Sequence, residues 1–151
     1  MVFFKQYWRW FAATWIAFVF IQSLFFKFAG SYETQHIFGV LGEFFGMMWF
    51  AVYGGYIIGG LELVASVLLF LRFWAWGALL AFEIMSGAIV FHLFTPLGIA
   101  MPEFDKMGSQ VGDDGGVLFI MACVTWACSL ALIVKDVTSE DSQIRGVLPR
   151  G

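Results

Sequence analysis

Four apolar stretches separated by short polar breaks set the pattern of this chain: Trp10–Ala29, Gly54–Leu71, Phe73–Thr95 and Gly115–Val134. Each comes close to the roughly 20 residues that an α-helix needs to cross a bilayer. The pattern predicts an all-α membrane protein, a bundle of four transmembrane helices over about 10–29, 54–71, 73–95 and 115–134. The second and third stretches read as a hairpin with only Arg72 at its turn, and Thr95-Pro96 stops the third. Leu97–Asp114 is then a polar, mostly acidic loop. The remainder, 135–151, is a charged tail, and a tail this short and polar is expected to be disordered.

Between the first two spans, His36–Phe50 is apolar but interrupted by Gly39, Gly42, Glu43 and Gly46. On a helical wheel these four gather on one side with His36 beside them, opposite Phe38, Leu41, Phe45, Met48 and Trp49. That division predicts an additional helix over about 36–50, interfacial, re-entrant or tucked against the bundle. Ile37 to Leu71 cannot be one span, because its length at 1.5 Å per residue would be about 52 Å against a hydrocarbon core of about 30 Å. Gly54-Gly55 is where the second span is expected to begin.

Composition agrees with this class. Hydrophobic residues are 61% and charged residues 13%, with a mean hydropathy of +0.85, whereas soluble domains carry about a quarter charged residues. A formal charge of -3 without a basic stripe argues against nucleic-acid binding. Cys123 and Cys128 lie five apart and fall on different helix faces, so they form no CxxC redox pair. The 19 Phe and 7 Trp fit lipid contact and interfacial belts, or packing against neighbouring subunits. The glycines of YGGYIIGG lack the Lys-Ser/Thr sequel of a phosphate loop and read as helix-packing glycines.

Orientation follows from the basic residues. Lys5, Arg9, Arg72, Lys135, Arg145 and Arg150 share one side of a four-span arrangement, leaving Lys106 in the loops opposite. Cytoplasmic loops collect Lys and Arg, so both termini are expected in the cytoplasm. The first stretch is longer than the apolar core of a signal peptide, is preceded by Trp8 and ends at Lys27, so it is expected to be retained; cleavage after Gly30 is the alternative.

Several short segments together resemble the DoxX-like family of small integral membrane proteins: a first span ending SLFFKFAG, a second carrying GGLELVASVLLFLRF, a third ending AIVFHLFTPLG and a fourth opening DGGVLF. The resemblance runs over roughly Trp8 to Lys135, with the order of the segments and the placement of Lys27, Glu62 and His92 carrying most of it. Ser23 or Leu24 stands where the pattern has a glycine one turn before the lysine. The resemblance implies a four-helix bundle of the bacterial inner membrane, often associated with respiratory or other redox assemblies and in some members with quinone-linked oxidoreductases. It implies no catalytic residue.

The chemistry-bearing residues are those buried in apolar spans, where an ionisable group is expensive unless protonated, paired or hydrated. Counting along the spans puts Lys27 and His92 near the outer surface and Glu62 and Glu83 near mid-depth, two layers. Small residues give the facing. Gly55, Gly59, Glu62, Ala65 and Ser66 share one side of the second span, and Ala78, Ala81, Met85, Ala88 and His92 one side of the third. Ala13, Ile16, Phe20, Ser23 and Lys27 line up on the first, and Ala122, Thr125 and Ser129 on the fourth. These small-residue faces let helices approach closely. Lys27, Glu62 and His92 are therefore the expected interior polar site, opening outward beneath the 36–50 helix.

Two readings of that site stay open. It could hold the polar head of a quinone or another lipid-like ligand or relay a proton, since His titrates near neutrality and burial raises carboxyl pKa values. Or it is a charge-paired plug in which Lys27 neutralises Glu62 and His92 caps a helix end. His36 and Glu43 are secondary candidates. His36 and His92 fall on the same side of the membrane, but neither has a further ligand at metal or haem spacing.

Glu83 lies nine positions from His92, hence on the opposite face, among Trp76, Leu79, Leu80, Gly87 and Val90. Glu83 and Gly87 are therefore the expected contact with another chain, the alternative being a kink at Ser86-Gly87 that would bring Glu83 to Glu62. No intrinsic catalysis is expected. The functional expectation is an accessory subunit of a larger membrane complex, with a self-contained binder or carrier of a quinone or lipid as the alternative. Partners are then membrane lipids and either other membrane subunits or copies of the same chain.

Overall fold

The structure, a computed structural model, describes residues 2–146, with side chains from Tyr7 onward. It is built of α1 (Val2–Phe28), α2 (Tyr32–Phe45), α3 (Met48–Phe70), α4 (Trp74–Phe94), a short antiparallel hairpin β1 (Pro102–Phe104) and β2 (Gln110–Asp113), and α5 (Val117–Val137). Four helices, α1, α3, α4 and α5, are long and apolar enough to cross a membrane. They make this an all-α integral membrane protein.

Each helix buries the face that carries its small residues. Ala13, Ile16 and Phe20 of α1, Ala65 and Leu69 of α3, Ala78 and Ala81 of α4, and Ala122 and Leu132 of α5 form one core. The helices close as a ring, α1 against α3, α3 against α4, α4 against α5, and α5 back against α1. Large apolar side chains such as Phe11, Phe18, Phe25, Val67 and Ile120 point outward, which suits a bundle solvated by hydrocarbon, where close approach of small faces rather than exclusion of water drives packing. Arg9 lies over the Trp10 and Trp74 rings, Arg72 over Phe73 and Lys135 over Trp8. Basic and indole groups thus gather at one end of the bundle. Arg150 and the Lys5 side chain lie outside the described residues.

The break between α2 and α3 differs from the sequence reading. It falls at Gly46-Met47, not at Gly54-Gly55. Gly46 ends α2 in the left-handed conformation (φ 66°), and its N–H and that of Met47 return to the carbonyls of Glu43 and Gly42, a closure that glycine makes without strain. Gly54 and Gly55 lie inside α3 and serve a different purpose. A Cβ on Gly54 would stand 2.5 Å from Phe38 Cδ1, and one on Gly55 would stand 3.2 Å from Thr34 Cγ2. The pair is the notch in which α2 seats.

α2 therefore spans Tyr32–Phe45 rather than 36–50, begins at a Ser31 side-chain cap, and buries Thr34, Phe38, Leu41 and Gly42 together. Gly42, expected on the side opposite Phe38 and Leu41, is instead buried with them and packs against Ala51. Residues four apart share a helix face, and Phe38 and Gly42 both press on α3.

The described part of the tail, 135–146, also departs from expectation, while 147–151 lie outside the described residues. α5 continues to Val137, and residues 139–146 fold back over it. Asp136 is 1% exposed and accepts from the Ser142 hydroxyl (2.8 Å), Gln143 N (3.0 Å) and Ile144 N (3.1 Å). Gln143 Nε2 reaches the Arg72 carbonyl at 2.7 Å, tying this segment to the turn between α3 and α4. Hydrogen bonds to a buried carboxylate order a stretch that composition alone leaves disordered.

Candidate functional site

Lys27 sits in the last turn of α1, and Gly59 of α3 lets that turn approach so that Glu62, three residues on, meets it. Lys27 Nζ donates to both Glu62 oxygens at 2.8 Å and to Ser23 Oγ at 2.7 Å, and Ser23 Oγ donates to Glu62 Oε2 at 2.7 Å. The side chains are 15% and 3% exposed. Glu62 and Lys27 thus occupy one layer, not two. Gly59 of α3 lies against Leu24, Phe28 and Lys27, so the end of α1 is level with the middle of α3, an offset that counting from the start of each helix does not give. Ser23 supplies the third corner of the triad.

The triad is nearly saturated. An ammonium has three donors, and this one faces three acceptor atoms. A pair closed this well offsets the cost of burial without offering a free donor.

His92 closes the last turn of α4. Its Nδ1 is 2.5 Å from the Gly98 carbonyl oxygen, and because a carbonyl only accepts, that nitrogen carries the proton. In the neutral ring Nε2 is then a bare acceptor, and it has no partner among the described residues. The ring meets Phe119 edge-on at 5.7 Å between centroids.

Lys27, Ser23, Glu62 and His92 line one cavity of about 530 Å³. Its walls come from every helix: Val19 and Phe26 of α1, Ile37, Phe38 and Leu41 of α2, Ile58 of α3, Met85 and Ala88 of α4, and Met121 and Ala122 of α5. At the hairpin end it is lined by Leu97, Met101, Pro102 and three carboxylates, Glu33, Glu103 and Asp114. A mostly apolar cavity of this size with a few polar groups is the form of a small-molecule site.

Asp114 is the structural pin of that end. Its carboxylate accepts from Met101 N (2.7 Å), Gly116 N (2.9 Å) and Leu118 N (2.9 Å), capping α5 and holding the loop to it. Burial pushes its carboxyl up, but hydrogen bonds from the amides of Leu118, Met101 and Gly116 outweigh it and hold the group below the usual aspartate value. Glu33 Oε1 receives Phe104 N at 3.4 Å, which fastens α2 to β1. None of the three has an ion-pair partner among the described residues.

The remaining candidates lie apart. His36 is half-buried against Phe104, 5.9 Å between ring centroids, and Glu43 is exposed near the end of α2; neither lines the cavity. Among the described residues no group of three or more His, Cys, Asp or Glu could hold a metal ion. Glu83 is exposed on the outer face of α4, a helix unbroken from Trp74 to Phe94. Ser86 is engaged elsewhere, giving its hydroxyl to the Phe82 carbonyl and accepting Trp126 Nε1. Gly87 has open space where a side chain would project.

The sequence reading missed Glu33, Glu103 and Asp114 as parts of the site. Asp114 alone carried a signal, an acidic residue followed by Gly-Gly ahead of an apolar run, which is a helix-start pattern. Glu33 and Glu103 reach the cavity only because α2 and the hairpin meet above it. No family model matches the chain, and no curated protein or solved structure matches it.

Proposed function

We propose that this protein binds a lipophilic small molecule in the cavity between its helices, with the polar end of the ligand toward His92 and the hairpin and its apolar body along Phe38, Met85 and Met121. The single observation that supports this most is the 530 Å³ apolar cavity that reaches both the closed Lys27–Ser23–Glu62 triad and the unpartnered Nε2 of His92. The ligand class expected from the sequence is a quinone or a lipid, and a binder or carrier role needs no catalytic residue. Proton relay is the weaker part of this reading, because the triad is neutral and saturated. The DoxX-like resemblance, the location in a bacterial inner membrane with both termini cytoplasmic, and an interfacial setting for α2 belong to the same proposal. The basic residues at the Arg9, Arg72 and Lys135 end favour that orientation.

The test is extraction. Chain purified in mild detergent should carry a lipophilic molecule in near-equal amount, identifiable by mass spectrometry, and the cavity-filling change Ala88→Phe should abolish it while the bundle remains folded. A chain that carries nothing beyond bulk lipid, with or without the substitution, would sink the proposal.

A second reading, an accessory subunit of a larger and by resemblance redox or respiratory assembly, is favoured by Glu83. A carboxyl group exposed amid apolar side chains halfway along a span is costly against hydrocarbon and finds relief in a neighbouring chain. The two readings are compatible, since a ligand-binding subunit can also be part of an assembly.

A further inference from the structure

The polar groups at the hairpin end of the cavity are mainly acceptors. Lys27, the basic residue that lines it, has its donors directed at Glu62 and Ser23. Glu62 in turn accepts from both. What remains at the hairpin end is a set of acceptors: the bare Nε2 of His92, and the carboxylates of Glu33, Glu103 and Asp114. Gln22 and Thr34, also on the wall, are neutral and can serve as either donor or acceptor.

Charge points the same way. Lys27 and Glu62 cancel, and the three remaining carboxylates have no basic partner within ion-pair distance among the described residues. Asp114 is held ionised by three backbone amides. A cavity walled by apolar side chains concentrates the field of such charges at its mouth.

We infer that the ligand carries a protonated amine on an apolar body, with the ammonium among Glu33, Glu103, Asp114 and His92 Nε2 and the body running inward toward the Lys27–Glu62 pair. This narrows the proposed ligand-binding reading and rests on it. An ammonium brings donors to an end lined mainly by acceptors, and positive charge where the charges left unpaired are negative. A quinone brings carbonyl oxygens, for which the cationic donor Lys27 is already engaged by Glu62 and Ser23, and it brings no charge to answer the carboxylates. A fatty acid brings a fourth negative charge.

The experiment compares three probes of one chain length, labelled dodecylamine, dodecanol and dodecanoate, at neutral pH. Binding is measured to the full chain in phosphatidylcholine nanodiscs, with empty discs subtracted for partition into lipid. Dodecylamine should bind at least about tenfold more tightly than dodecanoate, with dodecanol between them, as a single favourable charge contact in a partly buried site suggests. Glu33→Gln with Glu103→Gln should weaken dodecylamine about tenfold and leave dodecanol unchanged. Glu103 is exposed, and the Glu33→Gln change keeps a side-chain oxygen to accept Phe104 N; Asp114 is left intact because it caps α5. Adding decyl-substituted benzoquinone as a competitor should not displace the amine.

Equal binding of amine and alcohol, preference for dodecanoate, displacement by the quinone, or insensitivity of dodecylamine to the double substitution would each overturn the amine assignment while leaving the cavity as a binding site. Failure of every probe to bind above empty discs, with Ala88→Phe making no difference, would overturn the binding-site reading itself.

Discussion

At the scale of residues, Lys27 and Glu62 stand or fall as a pair. Removing Lys27 alone leaves a carboxylate, 3% exposed, with only Ser23 to satisfy it. Breaking one half of a buried ion pair costs about 3–5 kcal/mol, whereas replacing both halves with neutral groups of similar shape costs far less. Lys27→Met should therefore lower the melting temperature in detergent more than Lys27→Met combined with Glu62→Gln. Additive effects in that double-mutant cycle would mean that the two groups do not interact. Asp114 makes a different prediction. Its folded-state pKa is depressed, so the stability it contributes is present above the ordinary aspartate value of about 3.9 and is lost as pH falls through the folded value. Thermal stability of the wild type should drop on acidification through that range, and Asp114→Asn should flatten the drop. An unchanged acid profile in the variant would show that other carboxylates govern it.

At the scale of elements, α2 is held by shape rather than by length or strong amphipathicity. Phe38 enters the space over Gly54, where any side chain would collide with the ring. Gly54→Leu should force α2 out of its notch at a cost of roughly 1–3 kcal/mol, the usual range for overpacking. The measurable outcome is faster proteolysis or hydrogen exchange over Tyr32–Met47 than over α4 and α5. Uniform protection across all five helices would mean that α2 is anchored elsewhere, for instance by the Glu33 contact to β1. The folded segment over Asp136 belongs to this scale as well, since the same carboxylate that ends α5 organises residues 142–144.

At the scale of the whole molecule, Glu83 is an exposed carboxyl group partway along the membrane-length helix α4. An ionised carboxylate facing lipid costs roughly 2.5–3.5 kcal/mol on insertion scales, and neighbouring Gly87 leaves room for another helix to approach. Native mass spectrometry or analytical ultracentrifugation in mild detergent should reveal an oligomer or a larger complex that Glu83→Leu dissociates, while the isolated bundle becomes no less stable. A monomer in which that substitution changes neither assembly nor melting would leave the exposed carboxylate without a partner.

The four membrane-length helices and the faces they bury were legible in the sequence. Apolar length sets where a helix can span, and a 3.6-residue period assigns small residues such as Gly59, Ala65, Ala78 and Ala122 to one side without reference to any neighbour. Lys27, Glu62 and His92 could be picked out on the same grounds, because a charge inside an apolar run stands out. What lay between helices could not be read in this way. Whether Gly54-Gly55 begins a helix or receives Phe38 depends on the ring that fills the space. The level of Glu62 against Lys27 depends on how α1 and α3 are offset, and residues 139–146 are ordered by contacts with the buried Asp136 carboxylate and the Arg72 carbonyl. The carboxylates of Glu33, Glu103 and Asp114 come from three separate segments, and only the crossing of α2 over the hairpin makes them one wall of one cavity. Local pattern determines what each segment is; the contacts between segments, set by which side chain fits against which, decide where its chemistry is delivered.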